Sequence, residues 1–84
     1  MSYRLDFTAG AARQLRKLPE SIRDRLAPHL SALADSPRPA GAKKLKSTDG
    51  YRIRVGDYRI LYEIHDADAQ VLIVNVGHRR EVYR

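Results

Sequence analysis

The chain has 84 residues, enough for one small domain with a single hydrophobic core. Its apolar fraction of 43% is typical of a folded globular protein and argues against intrinsic disorder. Sixteen Lys and Arg against ten Asp and Glu give a formal net charge of +6, which favours nucleic acid, an acidic protein or an anionic membrane as a partner. No apolar run approaches the ~20 residues that cross a bilayer, and the absence of cysteine excludes disulfides and fits a reducing cytoplasm.

The first part of the chain predicts a strand followed by two helices. Apolar and charged residues alternate over residues 3–7, which is typical of a strand. Thr8 can cap a helix from about Ala9 to Lys17, and Pro19 ends it and can open the next helix. One face of this second helix carries the apolar residues Ile22, Leu26, Leu30, Leu33 and Ala34.

The second part of the chain predicts an antiparallel meander of three strands. A brief edge strand at residues 43–46 precedes a β-hairpin over residues 51–64, whose loop Gly56-Asp57 suits a type II′ turn. The apolar run from Gln70 to about Gly77 predicts a central strand covered on both faces. Together these elements predict a single α+β domain over residues 1–84, with both helices packed on one face of the sheet.

The predicted hairpin places three arginines on one face. With a two-residue loop, Arg54 lies directly opposite Arg59, and alternation puts Arg52 on the same side. Like charges directly opposite each other destabilise a hairpin. That cost is explained if an anion normally lies between them, and a phosphodiester is the natural candidate. The alternative is a solvated strand face, which the facing arginines make less attractive.

The last eight residues, 77–84, are a second candidate site. His78 and Tyr83 offer an acid–base group and a surface for base stacking, in a segment that is otherwise rich in arginine. The alternative is a frayed basic tail. The histidines lack the spacing of metal ligands, and the chain has no cysteine nucleophile and no glycine-rich phosphate loop. A metal-free and cofactor-free reaction on a phosphodiester is therefore expected.

These motifs resemble the RelE/ParE superfamily of bacterial toxins from type II toxin–antitoxin modules, and within it the RelE-like ribosome-dependent mRNA endonucleases. The resemblance spans essentially the whole chain, and the order and spacing of its motifs make it specific. The motifs are Lys44-Leu45-Lys46, Gly50-Tyr51-Arg52-Ile53-Arg54, residues 55–62, Val76-Gly77-His78-Arg79 and Glu81-Val82-Tyr83. Membership implies a RelE-like fold and cleavage of mRNA in the ribosomal A site, where the ribose 2′-hydroxyl attacks the adjacent phosphate.

The resemblance also implies which residues act. The predicted catalytic residues, carried over by position, are Arg52, Arg54, Arg59, Arg79 and Tyr83, with His78 at a position that is often basic. Further contacts to RNA or the ribosome are expected from Lys43, Lys44, Lys46, Arg80 and Arg84. The general base stays open between Tyr83 and His78. The family's best-known member has lysines where Arg52 and Arg54 stand, and arginine is the poorer proton carrier. The sequence also continues only one residue past Tyr83, so we expect the C-terminal helix of relatives to be missing.

The implied partners are a cognate antitoxin, RelB-like and acidic, together with the ribosome and mRNA in the cytoplasm. A toxin–antitoxin hetero-oligomer is expected, and a membrane is not. Two other functions compete with this interpretation. ParE-like toxins inhibit DNA gyrase by binding, without catalysis, and a plain basic module would bind RNA without cutting it. The predicted catalytic residues, which the gyrase-inhibiting branch generally lacks, favour the endoribonuclease.

Overall fold

Five strands and two α-helices lie in the part of the chain that the computed structural model describes, residues 2–46 and 50–78. In chain order they are β1 (Arg4–Phe7), α1 (Ala9–Lys17), α2 (Glu20–Asp35), β2 (Lys43–Lys44), β3 (Gly50–Val55), β4 (Tyr58–His65) and β5 (Gln70–His78). One sheet contains all the strands in the order β1-β5-β4-β3-β2. Only the β1–β5 pair is parallel among these described strands. The predicted α+β fold is confirmed.

Both helices begin where the sequence predicts. The Thr8 side chain accepts a hydrogen bond from the Ala11 N–H at 3.1 Å, which satisfies a donor that the first turn of α1 leaves without a helical partner. Pro19 stands immediately before α2, where a fixed φ suits a helix start. Neither helix is long and apolar enough to span a membrane, and this holds for all the residues described.

The hydrophobic core lies between the two helices and one face of the sheet. Three leucines of α2 are buried there, against alternate residues of the three long strands. The fully buried large side chains are Tyr62, Leu26, Leu33, Ile60, Ile73, Val71 and Val76. We call the other sheet face, which carries neither of the two described helices, the open face. β5 is a central strand, as predicted, but its two faces are covered unequally, because Leu72 on the open face is only half-buried.

A polar cluster fixes the segment that links α2 to β2. Arg38 donates to Asp66 at 3.0 Å and to the Tyr51 hydroxyl at 3.2 Å, and Tyr3 donates to the same Asp66 carboxylate at 2.6 Å. The buried Tyr62 hydroxyl donates to the Pro37 carbonyl at 2.7 Å, and burial raises the pKa of Tyr62 to about 12. These contacts tie the linker to the sheet and so determine where β2 meets β3.

The Asp66 carboxylate should give this cluster a measurable pH dependence. Hydrogen bonds from Arg38 and Tyr3 hold the pKa of Asp66 below its ordinary value. Its stabilising contribution is therefore present above the unfolded pKa of about 4 and is lost as pH falls through the lower folded pKa. We expect urea unfolding of Asp66→Asn to depend less on pH than that of wild type below about pH 4. The exposed Asp24→Asn is the control, and equal pH slopes for wild type and Asp66→Asn would contradict the prediction.

Candidate functional site

The β3–β4 hairpin has the predicted register. Val55 pairs with Tyr58 across the loop, which places Arg54 directly opposite Arg59. Gly56 has φ +61°, while Asp57 is not among the described residues with positive φ. A positive φ at the first loop position alone is what a type II′ turn requires, and glycine adopts it without strain. A tight turn therefore sets the pairing of the two arginines.

Four cations form a basic patch on the open face, which we define as Lys43, Arg52, Arg54 and Arg59. Lys43 pairs with Arg52 across β2 and β3, and residues paired across strands lie on the same face of the sheet. Arg54 is exposed, Arg52 is half-buried and Arg59 is only 8% exposed. The predicted placement of the three arginines on one face is confirmed.

Arg59 occupies the most enclosed position of the patch. It lies on a central strand, with Arg54 opposite it on β3 and Gly77 opposite it on β5. Gly77 adds no side chain beside Arg59 on this face. A charge in such a shielded position interacts more strongly with an anion than a charge in water does, and it needs little reorganisation to do so.

The opposite end of the open face is electrostatically balanced. Arg4 and Gln70 both donate to Asp6, at 2.7 and 2.8 Å. His65 lies 2.9 Å from the Glu63 carboxylate. By contrast, the described strand residues that pair with one another at the patch end are cations, and Asp57 lies in the hairpin loop outside the strands. An anion approaching the sheet is therefore drawn to the arginine end.

The structure separates His78 from the three arginines. His78 pairs with Tyr58 and its ring meets the Tyr58 ring edge-on, with centroids 5.6 Å apart. Tyr58 in turn pairs with Val55, which lies in the core on the helix side of the sheet. His78 therefore lies on the side of the sheet away from the patch, although the family resemblance groups it with the hairpin arginines as a catalytic residue. Alternation at the end of β5 explains the difference, because Gly77 takes the position next to Arg59.

The predicted lysine contacts also divide between the two faces. Lys43 belongs to the basic patch, whereas Lys44 pairs with Tyr51 on the helix side, close to Arg38. Lys46 is exposed in the turn after β2. The remaining predicted site residues lie outside the described residues, and their roles stay predictions: Arg79, Arg80, Tyr83 and Arg84.

Asn75 is a polar residue near the patch that was not predicted from the sequence as a site residue. A β-bulge between β4 and β5 makes Val74 the extra residue, so that Asn75 pairs with Leu61 and lies on the open face. Leu61 also pairs with Arg52, so Asn75 lies in the same row of the sheet as that arginine. The feature of the sequence that could have identified Asn75 is that it is the one amide residue within the apolar run of residues 71–76.

Reversing the charge of Arg54 should stabilise the fold while removing anion binding. Arg54→Glu replaces a like-charge cross-strand pair with an attractive one, so the free energy of unfolding should rise by about 0.2–1 kcal/mol. Arg54→Gln, which removes the repulsion without adding attraction, should give a smaller rise. Urea unfolding measures both. A loss of stability in both variants would show that the facing arginines do not repel in the folded protein.

Comparisons with known proteins identify the family of the chain. The family model described as ParE toxin of type II toxin-antitoxin system, parDE, matches residues 5–83. The chain is 34% identical to the mRNA interferase toxin RelE of Escherichia coli, covering 99% of this chain and 92% of the relative. It is 35% identical to the toxin RelG of Mycobacterium tuberculosis, covering 100% of this chain and 99% of that toxin.

Solved structures give the same result. The structure is similar to the toxin in the intact E. coli RelBE toxin-antitoxin complex, with a TM-score of 0.82, 32% sequence identity, and coverage of 92% of this chain and 96% of the other. The family match, the relatives and the shared fold support one another over nearly the full length. The chain therefore belongs to the RelE/ParE superfamily of type II toxin–antitoxin toxins.

Proposed function

We propose that this chain is the toxin of a type II toxin–antitoxin module and that it cuts mRNA on the ribosome, in the cytoplasm. The observation that carries the proposal is Arg54 directly opposite Arg59, with Arg52 on the same face of the sheet. Neighbouring guanidinium groups on one face suit a phosphate, which accepts hydrogen bonds from arginine in a bidentate geometry. The similar E. coli RelE is named an mRNA interferase toxin, which matches this chemistry.

In the proposed reaction the ribose 2′-oxygen attacks the adjacent phosphorus atom. The bond to the 5′-oxygen of the next nucleotide breaks, leaving a 2′,3′-cyclic phosphate and a 5′-hydroxyl. One proton leaves the 2′-hydroxyl and one reaches the departing oxygen, so no water, metal or cofactor enters the balance. Arg52, Arg54 and Arg59 stabilise the extra charge on the phosphate oxygens in the transition state. Arg79 adds charge at the leaving oxygen.

The proposed proton acceptor is Tyr83 rather than His78. His78 contacts Tyr58 on the side of the sheet away from the basic patch, so its imidazole is badly placed to reach a ribose bound on the open face. The pH–rate profiles of His78→Ala and Tyr83→Phe test this assignment. We expect the His78→Ala profile to keep the ascending limb of wild type. If the ascending limb of the pH–rate profile near pH ~6.5 were lost in His78→Ala but kept in Tyr83→Phe, His78 would be the proton acceptor.

Inhibition of DNA gyrase is the competing function on the same fold. The matching family model carries the ParE description, while the E. coli and M. tuberculosis relatives given above carry RelE-type names. This chain also has a cation at each hairpin position that the resemblance assigns to catalysis. Primer extension in a translating extract, run beside a gyrase supercoiling assay, separates the two. Cut messages with normal supercoiling are expected. Blocked supercoiling with intact messages would establish the gyrase inhibitor, and salt-sensitive RNA binding without cleavage would establish a plain binding module.

We also propose a cognate antitoxin as a stable partner. The similar E. coli toxin was solved as a complex with its antitoxin, and the basic patch here offers a surface complementary to an acidic segment. Covering Arg54 and Arg59 would block RNA directly. Co-purification from a strain that expresses the neighbouring gene tests the complex, and it should weaken as salt rises.

A further inference from the structure

A cleft lies at the edge of β3 beyond the end of its pairing with β2, next to the basic patch. Its volume is about 380 Å³, at the lower end of the roughly 300–1,000 Å³ that ligand pockets occupy. Residues of α2, the linker after it and β3 line the cleft, and Ile53 contributes an apolar surface inside it. A cleft of this size suits one small flat group better than a length of polymer.

Charged side chains at the cleft connect it to the arginine site. Arg52 and Arg54 line the cleft and also belong to the basic patch, and Lys43 adds a third cation. On the other side, α2 contributes the exposed His29 and, three residues further along the same helix face, Ala32. Apolar walls, an imidazole and several guanidinium groups are the surroundings in which an unstacked nucleobase attached to a phosphate is commonly held.

The edge of β3 adds hydrogen-bonding groups that face this cleft. β2 pairs with β3 only as far as Arg52, so no described strand covers the edge at Arg54. Leu45 donates to the Gly50 carbonyl at 2.8 Å, which shows that even-numbered residues of β3 turn their backbone toward this edge. The Arg54 N–H and C=O therefore face outward beside the cleft, where they can meet the donors and acceptors of a base.

We propose that the β3 edge cleft binds the base of an RNA nucleotide adjacent to the cut phosphate and so gives the enzyme a base preference beside the cut. The inference rests on the proposed function, because it names a second contact for the same RNA. An acidic peptide adding as a strand is the less suitable occupant. Strand addition needs several free backbone groups in a row, and here the edge spans little more than Arg54 between β2 and the turn at Gly56.

Filling the cleft from the helix side tests the proposal without touching the arginines. Ala32→Leu adds bulk on the cleft side of α2, and Ala27→Leu adds the same bulk at an exposed position of α2 outside the cleft. The four 5′-mononucleotides, inorganic phosphate and an acidic peptide are each titrated into wild type and both variants. The NMR signals of the Arg54 and Gly41 backbone amides are recorded at each step. The cut sites of each variant are then mapped in a translating extract.

We expect a mononucleotide to shift both amide signals in wild type and in Ala27→Leu, with at least about tenfold weaker affinity in Ala32→Leu. The base bias beside the cut should fall only in Ala32→Leu. Unchanged affinity and bias would overturn the cleft assignment while leaving cleavage itself intact. Equal shifts with inorganic phosphate, or shifts with the acidic peptide alone, would also overturn it. If no variant cuts RNA, the proposed function fails, and the mononucleotide titration still decides whether the cleft binds a base.

Discussion

Arg59→Ala is expected to slow message cleavage by about 10²–10³-fold, the usual cost of removing one donor that stabilises developing charge. Arg59 is the most enclosed cation of the basic patch, at 8% exposure, and it lies on a central strand. Its loss should therefore damage transition-state stabilisation more than the loss of an exposed charge would. Single-turnover cleavage of a programmed ribosome measures the change directly.

Two further variants separate charge from position. Arg59→Lys keeps the positive charge but loses the planar guanidinium fork, so its rate should fall between those of wild type and Arg59→Ala. Arg4→Ala removes an exposed cation from the balanced end of the same sheet face, and it should leave the rate within about twofold of wild type, like most surface substitutions. A large loss of cleavage rate in Arg4→Ala, or no loss in Arg59→Ala, would show that the active site does not lie at the basic patch.

Ile60→Ala should lower the free energy of unfolding by about 2–5 kcal/mol, since it leaves a cavity in the core. Ile60 follows Arg59 in the chain, but it points to the helix side and is completely buried. A small domain has only about 5–15 kcal/mol of stability in total. This single change should therefore lower the midpoint of urea unfolding strongly.

Ile60→Ala and Arg59→Ala should affect different properties of the protein, the first its stability and the second its cleavage rate. Among molecules that remain folded, Ile60→Ala should keep most of its cleavage rate, because the open face is unchanged. Ile60→Val removes one methyl group and should cost about 0.5–1.5 kcal/mol. If Ile60→Ala were as stable as wild type, Ile60 would not be buried on the helix side. Arg59, which precedes it in the strand, would then not be placed on the open face by alternation.

Local signals in the sequence were enough to predict most of the fold. The Thr8 cap, the apolar face of α2 and the Gly56-Asp57 turn each act over a few residues, and each is present as predicted. The turn also determines the register of the hairpin, so the pairing of Arg54 with Arg59 can be predicted from the sequence.

Contacts between distant segments could not be predicted in the same way. The bulge at Val74 determines on which face of the sheet Asn75, Gly77 and His78 lie. No short sequence motif predicts the position of this bulge. The polar cluster of Arg38 and Asp66 joins residues 28 positions apart. The cleft at the edge of β3 lies beyond Arg52 because β2 begins only at Lys43, and that start depends on how the linker is held.

The structure of a ribosome carrying this protein and a message with 2′-O-methyl groups at the cut site would test the central claim most directly. The methyl groups block the attacking oxygen, so the uncut RNA stays in place. We predict one phosphate within hydrogen-bonding distance, about 2.7–3.2 Å, of both Arg54 and Arg59 on the open face of the sheet. A message bound on the helix side, or one whose phosphates lie far from both arginines, would contradict the account.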